Sequence, residues 1–184
     1  QTIEYGALID EPFVHKNEFA LEGWFAYDGE EEFEWIFDTM TVDQDWDLYA
    51  KWIPLYDVFF FADGILFDQA NGIQQGYPVA YDPGIPTKTG HTFSHWTADD
   101  GYETFEIDLM FTPLTAAMVH SENDIDLTAH FTRNTYTVTF DSDGGTSYDP
   151  FTREYESLIV NPGNPSKTGH TFDGWFTDPG TWED

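Results

Sequence analysis

The sequence predicts an α+β fold of small, strand-rich tandem repeats with one short helix in each. Three observations carry this expectation. The phrases KTGHTFSHW (88–96) and KTGHTFDGW (167–175) are nearly identical and lie 79 residues apart. Alternating apolar residues run into Asp-Gly turns, as in TYTVTFDSDGG at 135–145, the mark of a half-buried strand meeting a turn. Thr112-Pro113 opens the run LTAAMVHS, placing a capping Thr and a Pro at the first helical position.

Taken in order, each repeat reads strand, strand, strand, helix, strand. The opening strand puts Tyr136, Val138 and Phe140 on one face. Its counterpart, YDVFFFADG at 56–64, precedes it by 80 residues. A second strand is expected around Tyr155–Val160, ended by the Pro- and Gly-rich loop 161–169. HTFDGWF is the third, entered through a turn in which Gly90 or Gly169 suits positive φ. The helix follows Thr112-Pro113, with a shorter version after Asp38 in the first copy. DLYAKW (47–52) and DLTAHF (126–131) supply the last strand.

Three tryptophans fix the period. Lys16, Lys88 and Lys167 each stand eight residues before Trp24, Trp96 and Trp175, with Tyr5, Tyr77 and Tyr155 nineteen or twenty before. The chain accordingly divides into 1–53, a repeat lacking its first strand; 54–132, complete; and 133–184, lacking its helix and last strand. Linkers of two or three residues, Ile53-Pro54 and Thr132-Arg133-Asn134, are expected between them. The chain reads as a piece of a longer protein. Its incomplete end copies would expose strand edges, so end-to-end self-association is expected.

Composition narrows the function. Among 184 residues, 35 Asp and Glu against 6 Lys and Arg give a net charge of −29. Such a chain repels phosphate backbones and anionic bilayers, which argues against nucleic-acid partners and direct membrane insertion. Its 17 Phe, 10 Tyr and 7 Trp suffice for small cores. The absence of cysteine excludes disulfides and thiolate chemistry.

In combination, YTVTFDSDGG, PSKTGHTFDGW and DLYAKW resemble the internalin B-type repeat, also called the Listeria–Bacteroides repeat, over essentially the whole chain. That resemblance implies a β-grasp-like (ubiquitin-like) unit in extracellular proteins of the bacterial surface or cell wall. It implies a stalk, spacer or adhesion role and carries no catalytic residues or cofactor.

Candidate chemistry is sparse. The acidic run Glu30–Glu32 reads as solvated surface rather than an acid–base pair. Asp43, Asp45 and Asp47 have the spacing of the first ligands of a calcium loop. However, Leu48 and Pro54 stand where Gly and Glu belong. Asp141 and Asp143 before Gly144-Gly145 fit a hairpin turn better. The sharpest site is a zinc constellation of His91, His95 and His130: His95 replaces a glycine of the other copies, and His130 replaces Lys51. The matching His170 argues that His91 belongs to the repeat pattern itself. No nucleophile, phosphate-loop or metalloprotease motif occurs. The expected partners are a host or bacterial surface protein or a glycan. The segment GYETFEIDLMF (101–111), peculiar to the middle copy, is where an adhesive contact would be sought. A carbohydrate-active enzyme's accessory region, stacking sugars on exposed Trp and Tyr, is the rival reading.

Overall fold

The computed structural model describes residues 2–99, 102–120 and 123–177. It separates into two compact units, Gln1–Pro86 with Phe93–His130, and Thr87–Thr92 with Phe131–Asp184. Strands β1 (Phe19–Tyr27), β2 (Glu32–Glu34), β3 (Tyr49–Ala62), β4 (Ile65–Gln74), β5 (His91–Asp99), β6 (Thr104–Ile107) and β7 (Asp124–Arg133) form one mixed sheet. Its order is β2-β1-β3-β7-β5-β6, with β4 on β3. Strands β8 (Thr135–Val138) and β9 (Phe151–Glu154) form a second, antiparallel sheet.

The core follows from the alternation in β3 and β7. Tyr56, Val58 and Phe60 point inward and are at most 2% exposed, as are Ile125 and Leu127. These two strands, first and last of the complete repeat, run parallel from Asp57↔Asp124 to Phe61↔Thr128. Phe60 meets Trp96 edge-on at 5.1 Å, a geometry favoured by the ring quadrupole. Asp63 and Gly64, with φ of 50° and 76°, make the tight turn into β4 that two left-handed residues allow. Asp143 and Gly144 repeat it at 50° and 79°.

The α+β expectation is overturned. The one helical element among the described residues is a 3-10 turn of three residues, Ala116–Met118. Thr112 does not cap a helix, because its Oγ1 accepts the Asp108 amide at 2.9 Å. Leu114, wholly buried, donates its N–H to the Tyr77 carbonyl and accepts that of Gly76, both at 2.9 Å. A residue so tied to an extended neighbour cannot join a helical ladder, so tertiary pairing overrides the local Thr-Pro signal. The first repeat uses the same device at Val42, which donates to Ala7 (2.9 Å) and accepts from Gly6 (2.7 Å). Its expected helix near Asp38 is a single turn closed on Ile36. The β-grasp-like assignment, which required a helix across the sheet, falls with it.

Other expectations shift position. The strand expected at Tyr155–Val160 forms earlier, as β9. Residues 170–176, expected as a strand, are not one. Ile53-Pro54 lies inside β3 rather than in a linker, and β7 continues through Arg133. The segment 101–111 is not peculiar to the middle copy; Gly101 itself lies outside the described residues. β6 pairs with β5 as β2 pairs with β1: Ala98↔Phe105 matches Ala26↔Phe33, and Thr97↔Glu106 matches Phe25↔Glu34.

The Lys turn occurs in all three repeats. Phe19, His91 and His170 donate backbone N–H to Lys16, Lys88 and Lys167 at 3.3, 3.0 and 3.1 Å. Its third residue is left-handed: Glu18 at 63°, Gly90 at 68°, Gly169 at 77°. A Cβ at Gly90 would stand 2.1 Å from Cγ of Tyr155, whereas one at Gly169 would meet nothing within 4 Å. Gly169→Ala should therefore cost only the left-handed backbone term, about 1–2 kcal/mol. Gly90→Ala should lose about 1–3 kcal/mol more through overlap with the ring. Urea unfolding of both variants measures this; equal losses would mean that Tyr155 does not confine the turn.

Candidate functional site

The one face that differs chemically between otherwise matching repeats lies on β1–β3 in the first and β5–β7 in the second. Gly23 opposes Lys51 in the first repeat, and the matching residues of the second are His95 and His130. The two imidazoles stack with centroids 4.9 Å apart and planes 7° from parallel. His130 Nε2 lies 2.8 Å from Thr97 Oγ1, and His95 Nδ1 lies 2.9 Å from Ser94 Oγ. Parallel rings present faces, not in-plane lone pairs, to each other. His91 belongs to the other unit, where its Nδ1 contacts the Thr89 carbonyl at 2.9 Å. His170 makes the same contact with Thr168 at 3.1 Å, so this histidine serves the Lys turn. Among the described residues no three His, Asp or Glu side chains are grouped to hold a metal ion.

In the first repeat the same face carries a charged group. Lys51 Nζ is paired with Glu32 and sits 4.1 Å from the Phe25 ring centre. Tyr49 donates its hydroxyl to Glu32. The bond from Lys51, then that from Tyr49, lowers the Glu32 carboxyl below its ordinary range, and Glu32 in turn raises the Tyr49 phenol. In the third repeat Lys167 pairs with Asp143 at 2.9 Å and lowers its carboxyl.

Two of the calcium candidates accept hydrogen bonds from nearby residues. Asp43 Oδ1 accepts the Trp46 indole N–H at 3.1 Å. Asp141 Oδ1 accepts the Asp143 amide at 2.9 Å, closing the hairpin turn. Of the acidic run, Glu30 and Glu31 donate their amides to Asp28. The cations are engaged too: Lys16 lies 3.6 Å from the Phe19 ring centre, Lys88 5.5 Å from that of Phe131, Arg153 4.5 Å from that of Phe151, and Arg133 3.9 Å from Glu154.

Two grooves flank these elements. One, in the first unit, is lined by Ile85, Phe93 and Leu109 with Asp82, Glu106 and Asp108. The other, about 340 Å³ in the second unit, is walled by Phe172, Trp175 and Phe176 and rimmed by Asp141, Asp143 and Lys167. Sequence reasoning missed both. Phe140, Tyr148 and Phe172 pack around Trp175 at 4.8–5.6 Å, and the Trp175 indole donates to the Gly163 carbonyl at 3.0 Å.

Recurring Lys turns, Trp strands and closing strands define a tandem array of one small β-rich unit. Residues 1–51, 56–130 and 136–183 each match the Listeria-Bacteroides repeat domain, and the chain belongs to that family. It is 34% identical over 178 residues, 95% of its length, to a protein of Evansella cellulosilytica named as a Gly-rich membrane protein. It is 31% identical over 184 residues to a second protein of that organism, named as a membrane protein. It is also 38% identical over 96 residues, 52% of the chain, to internalin H of Listeria monocytogenes. The chain spans 19%, 25% and 16% of these relatives. No solved structure matches it. No helix among the described residues is long and apolar enough to cross a membrane.

The Lys51–Glu32–Tyr49 group offers a titration with a definite sign. A lowered carboxyl contributes stability above its unfolded value, here near 4.5, and loses it as pH falls through the lower folded value. In Lys51→Met the Glu32 carboxyl is expected to titrate at higher pH than in the parent. In Glu32→Gln the Tyr49 phenol should fall back toward 10.0. NMR titration of both groups checks this, and unchanged midpoints would refute the contact.

Proposed function

We propose that this chain is a non-catalytic repeat region of a bacterial surface protein, a spacer that holds other domains away from the cell and offers sheet faces for protein contact. One observation carries the reading: β3 runs for 14 residues without a break, serving as the last strand of one repeat and the first of the next. A junction made of strand bends far less than a loop of the same length, and a spacer needs that stiffness. Family membership and relatives named as membrane proteins and an internalin support a place at the surface.

A second reading, adhesion to a host protein, is favoured by one feature. Around β6 the side chains of Tyr102, Met110 and Phe111 are 96%, 55% and 81% exposed. Sugar stacking would rest on exposed tyrosines such as Tyr5, Tyr77 and Tyr102, because none of the described tryptophans is among the exposed large apolar residues.

The spacer reading is tested by X-ray scattering from arrays built with two, four and six copies of residues 54–132, joined as at 49–62. The maximum dimension is expected to grow in proportion to copy number. Inserting a Gly-Ser segment between Ile53 and Pro54 equivalents should return the slower, roughly square-root growth of flexibly linked units. Square-root growth in the unmodified arrays would remove the spacer role. Saturable capture of a surface protein, lost on Tyr102→Ser with Phe111→Ser, would favour adhesion.

A further inference from the structure

Strand β6 covers β5 only in part. The pairing runs from Trp96↔Ile107 to Asp99↔Thr104 and goes no further. At Asp108 the chain turns back on itself, its carbonyl accepting the Phe111 and Thr112 amides at 3.2 and 2.8 Å. The Leu109 carbonyl is drawn aside by the Ala80 amide at 2.8 Å. Among the described residues, therefore, no strand lies beside Ser94 and His95 on the β6 side of β5. A groove of about 520 Å³ follows this stretch, with Ser94, His95 and Trp96 in its lining together with Asp82, Ile85 and Leu109. All the strands of this repeat, β3 to β7, are present, so the gap belongs to the unit itself. The first repeat has the same arrangement. There β2 pairs with β1 over Phe25–Tyr27. Asp10, Leu21, Trp24, Glu34 and Phe37, the counterparts of Asp82, Phe93, Trp96, Glu106 and Leu109, line a groove of about 500 Å³.

Charge names the occupant. Both grooves carry Asp and Glu and neither carries Lys or Arg. The six cations of the chain are engaged elsewhere, so the complement must come from outside it. We propose that the groove along β5 accepts an extended basic segment of a partner protein, alternating Lys or Arg with apolar residues and added as a strand in the line that β6 leaves. Main-chain bonds to Ser94 and His95 would supply affinity, and alternate side chains specificity. The alternation follows from the strand beside it, where Trp96 and Ile107 face the core at 4% exposure and Glu106 faces outward. Asp82 and Asp108 each hold one backbone amide, at 2.8 and 3.0 Å, which fixes the carboxylate and leaves further acceptor sites open. The acids that turn away a second copy of this acidic chain thereby select a basic one. This site lies apart from the Tyr102 and Phe111 surface and is independent of the spacer role.

The test uses the whole chain and a capped peptide, Lys-Leu-Lys-Leu-Lys, near 0.15 M salt, where most long-range attraction to a −29 protein is screened. Saturable binding is expected, with amide shifts concentrated at Ser94, His95 and Leu109 and at their counterparts Glu22, Gly23 and Phe37. The same peptide N-methylated throughout cannot pair as a strand and should bind at least roughly tenfold more weakly. Glu106→Lys alters an exposed side chain, so the variant is expected to unfold at the parent's urea midpoint. It should weaken binding, read at His95, by roughly tenfold. Glu30→Lys, which changes the net charge equally, should not. No saturable binding, equal binding of the N-methylated peptide, equal binding of Lys-Ser-Lys-Ser-Lys, or an equal effect of Glu30→Lys would each overturn the assignment.

Discussion

The strand Tyr49–Ala62 belongs to two repeats at once, and this continuity constrains most of the first unit. Its first part pairs with β1 through Pro54, and its second part pairs with β4 and, in parallel, with β7. Where one repeat closes, the next has already begun. The Lys turn is drawn into the same junction, since the Glu18 carbonyl accepts the Leu55 amide at 2.8 Å and the Pro54 carbonyl accepts that of Gln75 at 3.0 Å. The pattern recurs beyond β7. There Gly90 accepts from Asn134 at 2.9 Å, and Asn134 accepts from Tyr155 at 2.8 Å. A turn that must satisfy its own hairpin and the next strand has little freedom to vary. Its geometry is accordingly kept in the first two copies, although KNEFALEGW and KTGHTFSHW share only Lys and Trp.

What the sequence made legible was whatever the backbone alone dictates. Alternation located β8, phrase matching placed strands within β3 and β7, and Asp-Gly located two turns whose positive φ admits few other pairs. The helix failed because Thr112-Pro113 is a local signal, whereas Leu114 is held by two backbone bonds to residues 76–77, nearly forty positions away. The equivalence of β2 and β6 escaped for the opposite reason. Their register is the same, but the inward residue is Trp35, directly after β2, in one and Ile107 of β6 in the other, each at most 4% exposed. A core position asks for volume and apolarity rather than identity, so side-chain comparison breaks down where the geometry is most closely repeated. Of the site residues, His95 and His130 were singled out by comparison with Gly23 and Lys51 of the first copy, and they lie on neighbouring strands. The ring stacking that parts them from a ligand geometry could not be read from spacing.

Charge and edge protection are linked in this fold. All six cations lie against a carboxylate or an aromatic ring, in a chain with a large excess of acid over base. Strand β2, at one end of the sheet, reads Glu-Phe-Glu, and β6, at the other, carries Glu106. Acidic side chains along an exposed edge discourage a second chain from adding there.

The comparison of the three copies also bears on where recognition can reside. Positions facing the core or the junction keep their character: Trp24, Trp96 and Trp175; Ala50 and Ala129; the Lys turn. The opposite face of the same strands does not. Lys51 with its Glu32 partner gives way to a stacked His95–His130 pair. Substitutions that change charge, size and hydrogen bonding at one spot, with no change in strand register, show that the fold does not depend on that face. A repeat built this way can diversify its outward chemistry copy by copy while the junction stays fixed. The array then offers a series of chemically distinct faces on one repeated framework, and selection for contact can act on each face without cost to the sheet that carries it.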